Sequence, residues 1–337
     1  MSDTGVASVV ERTRPIAAGA PVVGAHFLGR TAVFVLGEEA LLFASADGSE
    51  RRVAVHGGAI LMAAADGDRV VTGGDDGKVA VTEASGEHRV VATDAKHRWI
   101  DHVAIAPDGA IAWSAGKTAF VRTIKGDERT LDVATTVGGL AFAPKGFRLA
   151  VAHYNGVTLW FPNAALATPE VLDWKGSHLG VRFSPDGRFL VTTMQEPTLH
   201  GWRIADRKHM RMSGYAARVQ SMDWVADGDW LATSGADALI LWPFQGKDGP
   251  MGKQPRMLSP LPPRVSVVAC HPRDQIAAIG YGDGTVLLVR IDDGAEILAR
   301  RPGAAPVSTL AWHPEGTALA FGTEDGDAGL IDLSSRP

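Results

Sequence analysis

Cysteine occurs once in the 337 residues, at Cys270. A single thiol cannot close an intrachain disulfide or supply a multi-cysteine metal cluster, and it points to the cytoplasm as the natural compartment. Long apolar runs are missing too. The longest, AILMAAA at 59–65, falls far short of the roughly 20 residues a membrane helix requires. Asp3, Glu11 and Pro15 interrupt the first residues where a secretory signal needs an unbroken apolar stretch, so export is not expected. Basic charge is not in excess. With 33 Lys and Arg against 38 Asp and Glu the formal net charge is −5, which gives no general pull toward nucleic acid or anionic lipid. Catalytic signatures are absent: there is no G-x-S-x-G elbow, no phosphate-binding G-x-x-x-x-G-K-[ST] loop and no H-E-x-x-H. No cofactor or metal is expected. His102, His153 and His178 are the histidines that distant copies of a repeat could bring together, but no ligand motif joins them.

What the chain does have is a sentence written repeatedly. VGGLAFAPKGFRLAVAHYNGVTLWF begins at Val137, and VSTLAWHPEGTALAFGTEDGDAGLIDL begins at Val307. Carrying that register along the chain gives eight copies, starting near Val22, Gly58, Ile100, Val137, His178, Val219, Val265 and Val307, at spacings of 36, 42, 37, 41, 41, 46 and 42 residues. Each copy opens with alternating apolar positions such as Leu140 and Phe142, or Leu310 and Trp312, the period-two pattern of a strand. A Pro-charged-Gly turn follows, as in Pro185-Asp186-Gly187. A second strand then runs into Asp-Gly or Asn-Gly (Asp76-Gly77, Asn155-Gly156), the strongest short hairpin signal. A third strand ends on an aromatic at Trp160, Trp202 and Trp242, and the irregular segment before the next copy supplies a fourth.

These residues resemble the Trp-Asp (WD) repeat family of β-propellers, and the resemblance covers nearly the whole chain. It implies an all-β fold over residues 1–337: a single β-propeller of four-stranded antiparallel blades, eight in number, with seven as the runner-up. The last copy stops at its third strand, so ASVVERT (7–13) is expected to close the ring as its outer strand. The family's internal network of His, Ser or Thr, Asp and Trp is approached only in the sixth copy, by Ser234, Asp237 and Trp242, with Tyr215 in place of the His. The Trp-Asp dipeptide itself is replaced by Trp160-Phe161, Trp202-Arg203 and Trp242-Pro243.

The resemblance also places the loops leading into first strands on one face with the turns joining second to third strands. All three tyrosines fall there: Tyr154 and Tyr281 in such turns, Tyr215 before a first strand. Arg98, Trp99, Trp174, Lys175, His178 and Arg218 lie in neighbouring loops. Tyr, Trp and Arg are the residue types enriched in protein interfaces. The expected function is therefore a non-catalytic scaffold presenting this face to a protein or peptide partner. The alternative is a propeller-type hydrolase or oxidoreductase working at the central channel. Nucleic acid and membrane are not expected partners, and a small molecule remains open. His271 and His313 read as solvent-facing turn residues, Cys270 as core, and the Pro-rich segment 246–264 as a mobile loop.

Overall fold

In the computed structural model, which describes residues 7–164 and 168–334, the repeated sentence folds as antiparallel strands. The fifth copy shows why. Ser184-Pro185-Asp186-Gly187 reverses the chain: Gly187 takes a φ of +76°, its N–H donates to the Ser184 carbonyl at 2.8 Å, and the Asp186 carboxylate accepts from the Arg188 N–H at 2.9 Å. The strands Phe189–Met194 and Thr198–Arg203 then pair antiparallel and are buried almost throughout. Such strands, covered on both faces, carry the core. Fourth strands are the opposite: Glu50–Ala54, His88–Thr93 and Glu128–Asp132 are mostly exposed, and the first and last of them are rich in charge. Charge on an edge strand disfavours edge-to-edge pairing with another molecule.

The count of eight blades is corrected by the strand pairing. Strands of the described residues fall in seven hydrogen-bonded sheets, the runner-up number. The fourth and fifth copies do not separate, because one 14-residue strand, Glu170–Phe183, belongs to both. Its first half pairs with Leu149–Trp160 and its second half with Phe189–Met194, fusing the two copies into one six-stranded sheet.

The closing strand is also displaced from 7–13. Thr13–Ala17 is the segment that pairs antiparallel with Asp327–Asp332, as the outer strand of the last copy's sheet. Ala7–Ser8 instead pairs parallel with Glu296–Arg300 of the seventh copy. The physical reason is burial: Ile16 (3% exposed) has a core position to fill, and a single 3-10 turn at Val10–Arg12 re-aims the chain between the two pairings.

By its contacts the chain divides into two compact units. One comprises residues up to Leu36, Leu42–Glu50 and Gln220 onward; its cores join successive copies, with Cys270, Ile279 and Tyr281 in one and Val9, Leu319 and Phe321 in the next. Serine hydroxyls stitch these copies together. Ser221 donates to the Val268 carbonyl, Ser266 to Val307 and Ser308 to Val22. The other unit comprises Gly37–Leu41 and Arg51–Val219; its cores include Val71 with Ile100, Val121 with Val151, and Leu159 with Leu190. Among the described residues no helix is long and apolar enough to cross a membrane.

Candidate partner-binding site

Tyr154 is held by backbone geometry that its sequence demands. It sits at the bend of the strand Leu149–Trp160, where Asn155 takes a φ of +70° and Gly156 a φ of +152°. A Cβ on Gly156 would lie 2.4 Å from the Leu172 carbonyl oxygen, so only glycine lets the two strands approach. The Gly176 N–H donates to the Asn155 side-chain oxygen at 3.2 Å, and the Tyr154 N–H donates to the Thr135 hydroxyl at 3.0 Å. Beneath the tyrosine the His153 ring is locked: Nδ1–H donates to the Tyr154 carbonyl and Nε2 accepts from the Thr158 hydroxyl, both at 2.9 Å. The tyrosine is left 50% exposed. It lines an open cleft of about 460 Å³ with Asp132, Val133, Thr135, Val171 and Asp173.

The other anticipated residues divide sharply. Trp99 is 60% exposed, and Lys175 and Arg218 are exposed as well; Arg218 donates to the Gln195 side-chain oxygen at 3.2 Å. Arg98 is spoken for by Asp94, with guanidinium-carboxylate distances of 2.7 and 3.2 Å. Those hydrogen bonds hold the Asp94 carboxyl down at about 2. Trp174 is half-buried, stacked on His200 with ring centroids 4.0 Å apart.

Three anticipated contact residues are core instead. His178 is 1% exposed: Nε2–H donates to the Trp174 carbonyl at 2.9 Å and the Thr192 hydroxyl donates to Nδ1 at 2.8 Å. Burial lowers its pKa, keeping it neutral. Tyr215 is 8% exposed. Tyr281, in the other unit, is fully buried and its hydroxyl donates to the Ser259 carbonyl at 2.5 Å. His271 and His313 are not solvent-facing either. Both are buried, and each Nδ1 accepts turn amides: Arg273 and Asp274 for His271, Glu315 for His313.

Sequence reasoning missed two sets. In the second copy the His56 Nδ1–H donates to Asp76 at 3.0 Å, the Thr72 hydroxyl donates to Nε2 at 2.8 Å, and Asp76 also accepts from the Gly57 N–H at 2.9 Å. The complete His-Thr-Asp chain therefore lies in the second copy rather than the sixth; the signal was a His just before a first strand. In the sixth copy Ser234 accepts backbone N–H groups of Gln220 and Ser221. The second missed set surrounds His200, which is 0% exposed with neither ring nitrogen hydrogen-bonded among the described residues. It lies among Trp174, Trp202 at 4.7 Å, His209 at 5.3 Å and His178 at 6.2 Å.

Comparison with known proteins gives the same architecture. The family model described as WD domain, G-beta repeat matches residues 207–242, and the anaphase-promoting complex subunit 4 WD40 domain model matches 268–336. The chain belongs to the WD-repeat β-propeller family. Among curated relatives of this WD-repeat chain is an uncharacterized WD repeat-containing protein of Schizosaccharomyces pombe, 24% identical over 59% of this chain and 39% of that protein. Another is telomerase protein component 1 of Mus musculus, 26% identical over 56% of this chain and 7% of that protein. The chain thus spans well under half the length of either. The crystal structure of the computationally designed Ika8 protein shares the fold, with a TM-score of 0.75 at 17% identity over 93% of this chain and 96% of that one.

The WD-repeat scaffold arranges no group of three or more His, Cys, Asp or Glu to hold a metal ion among the described residues. What the cleft beside Tyr154 offers is shape, an aromatic face and two carboxylates on a rigid sheet. That combination suits capture of a ligand group.

Proposed function

We propose that this WD-repeat chain is a non-catalytic interaction scaffold of the cytoplasm, and that a protein or peptide partner is held at the cleft beside Tyr154. The observation that carries the reading is a half-exposed tyrosine fixed over a 460 Å³ cleft by hydrogen bonds on both sides of its turn. An exposed aromatic on a rigid backbone loses little conformational entropy when it is covered, so its burial translates into affinity. Trp99 and Arg218, in loops, and Lys175, in the strand Glu170–Phe183, extend the contact surface as exposed side chains, and Val171, 42% exposed, adds an apolar wall.

The test is site-specific photocrosslinking in cells. A benzophenone amino acid is placed at Tyr154 or, as control, at Ile124, which is 69% exposed in the turn at the opposite end of the third copy's outer strand. A discrete adduct at 154 and none at 124 is expected. Equal labelling from both positions, or none from 154, would sink the reading.

A further inference from the structure

The lining of the Tyr154 cleft contains two carboxylates, Asp132 and Asp173, and no lysine or arginine. We infer that the partner segment held there presents a lysine or arginine whose aliphatic stem lies along the cleft's apolar wall and whose charged head meets Asp132 and Asp173. This rests on the peptide-capture reading above and deepens it.

The charges facing the cleft support one sign only. Asp173 is exposed and has no ion-pair partner among the described residues. Asp132 is exposed, accepts a hydrogen bond from the Thr118 hydroxyl at 2.7 Å and has no ion-pair partner among the described residues. Arg98 feels Asp132 electrostatically, yet its guanidinium is engaged by Asp94. His153, the remaining basic group of the lining, is buried with both ring nitrogens hydrogen-bonded, so it brings no free donor to the cleft.

The uncharged part of the cleft fits the same ligand. Leu131, Val133, Pro169 and Val171 form an apolar wall. A lysine or arginine can cover such a wall with its methylenes while its head stays solvated or paired, which a short acidic side chain cannot do. The exposed face of Tyr154 adds attraction for a cation. An anionic or phosphorylated segment would instead bring like charge onto Asp132 and Asp173 and find no cation in the lining.

Panning the full-length chain against a phage-displayed random heptapeptide library, followed by fluorescence anisotropy on the synthetic winners, tests this. Enriched peptides should carry Lys or Arg, and replacing that residue by norleucine should weaken binding. The Asp132→Asn/Asp173→Asn variant keeps the acceptor for Thr118 but removes both charges. It should bind about five-fold more weakly, the effect of losing two partly exposed ion pairs, and its residual affinity should lose most of its salt dependence. Tyr154→Ala should weaken binding of every winner, and both variants are checked for an unchanged thermal melt. Winners that depend on Tyr154 but not on the two carboxylates would leave peptide capture standing and overturn the basic-segment inference. Winners indifferent to all three positions, or no winners at all, would overturn both.

Discussion

His200 makes the fold acid-sensitive in a way that a single substitution can isolate. Its imidazole is fully buried, stacked against Trp174, and neither nitrogen has a hydrogen-bond partner among the described residues. Burial, with a smaller contribution from the basic neighbours His178, His209 and Arg211, drives the pKa from 6.5 down to about 3. The folded state therefore refuses a proton that the unfolded chain accepts below pH 6.5. Stability from this group is fully present above pH 6.5 and is lost as pH falls toward 3. Between pH 7.5 and 5.0 the unfolded chain gains about 1.5 units of protonation drive, which costs the fold about 2 kcal/mol at ~1.4 kcal/mol per unit.

The perturbation is His200→Leu, which replaces the ring by a side chain of similar size with no nitrogen to leave unpaired. Urea unfolding of both proteins at pH 7.5 and 5.0 reads the difference. At pH 7.5 the variant should be at least as stable as the wild type, because two unpartnered polar atoms leave an apolar setting. At pH 5.0 the wild type should have lost about 2 kcal/mol more than the variant. His26 and His102, which burial lowers to about 4, are common to both proteins and cancel in the comparison. Equal losses in the two proteins would refute the account of His200 as a buried neutral imidazole.

Two further outcomes follow from packing and hydrogen bonds alone. Ile16→Ala should cost about 3 kcal/mol, the range for truncating a buried isoleucine, and deleting residues 1–17 should cost more because it also uncovers the strand Asp327–Asp332; an unchanged melting temperature in the deletion would contradict the observed closure. Tyr281→Phe should cost about 1 kcal/mol, the worth of its hydroxyl bond to Ser259, and should leave crosslinking from position 154 untouched; lost crosslinking in a folded Tyr281→Phe protein would make Tyr281 part of the contact.

The repeat made most of the architecture readable, since period-two apolar positions and Gly turns act over a few residues and leave marks in order. The strands and hairpins of the fifth copy follow its sequence almost residue by residue. The sheet count was not readable in the same way. Whether Glu170–Phe183 breaks into two strands or runs through depends on Gly176, whose φ of +121° lets Trp174 and Lys175 bend without ending the pairing. Nothing in the repeat pattern distinguishes that glycine from one that ends a strand. The closing strand was misplaced for a related reason: no local pattern favours 13–17 over 7–13, and what selects the former is a partner more than 300 residues away in sequence, where Thr13 meets Ile331.

The candidate site was legible only in part, and the tyrosines show what decides. Tyr154 and Tyr281 stand one residue apart in their copies: Ala152 opposes Gly139 as Gly280 opposes Val267, so Tyr281 holds the place of His153, and Gly282 holds that of Tyr154. One is half exposed and the other has no exposed surface. The difference is one of register, since successive strand residues face opposite sides, and His153, the counterpart of Tyr281, is buried as well. The segment 246–264 before the seventh copy, expected to be a mobile loop, lies against the buried tyrosine. Its second half is anchored instead. Arg256–Leu258 pairs as the sixth copy's outer strand, Ser259 takes the Tyr281 hydroxyl, the Leu261 N–H donates to Asp237 at 2.9 Å, and the Arg264 carbonyl accepts from Gly282 at 2.8 Å. The insert thus supplies the hydroxyl acceptor for a tyrosine that its strand register already places in the core beside Ile279 and Leu287. Residue type and an approximate repeat position cannot separate a contact tyrosine from a buried one in such a chain; the position counted to the residue can, because a shift of one residue along a strand carries the side chain to the other face.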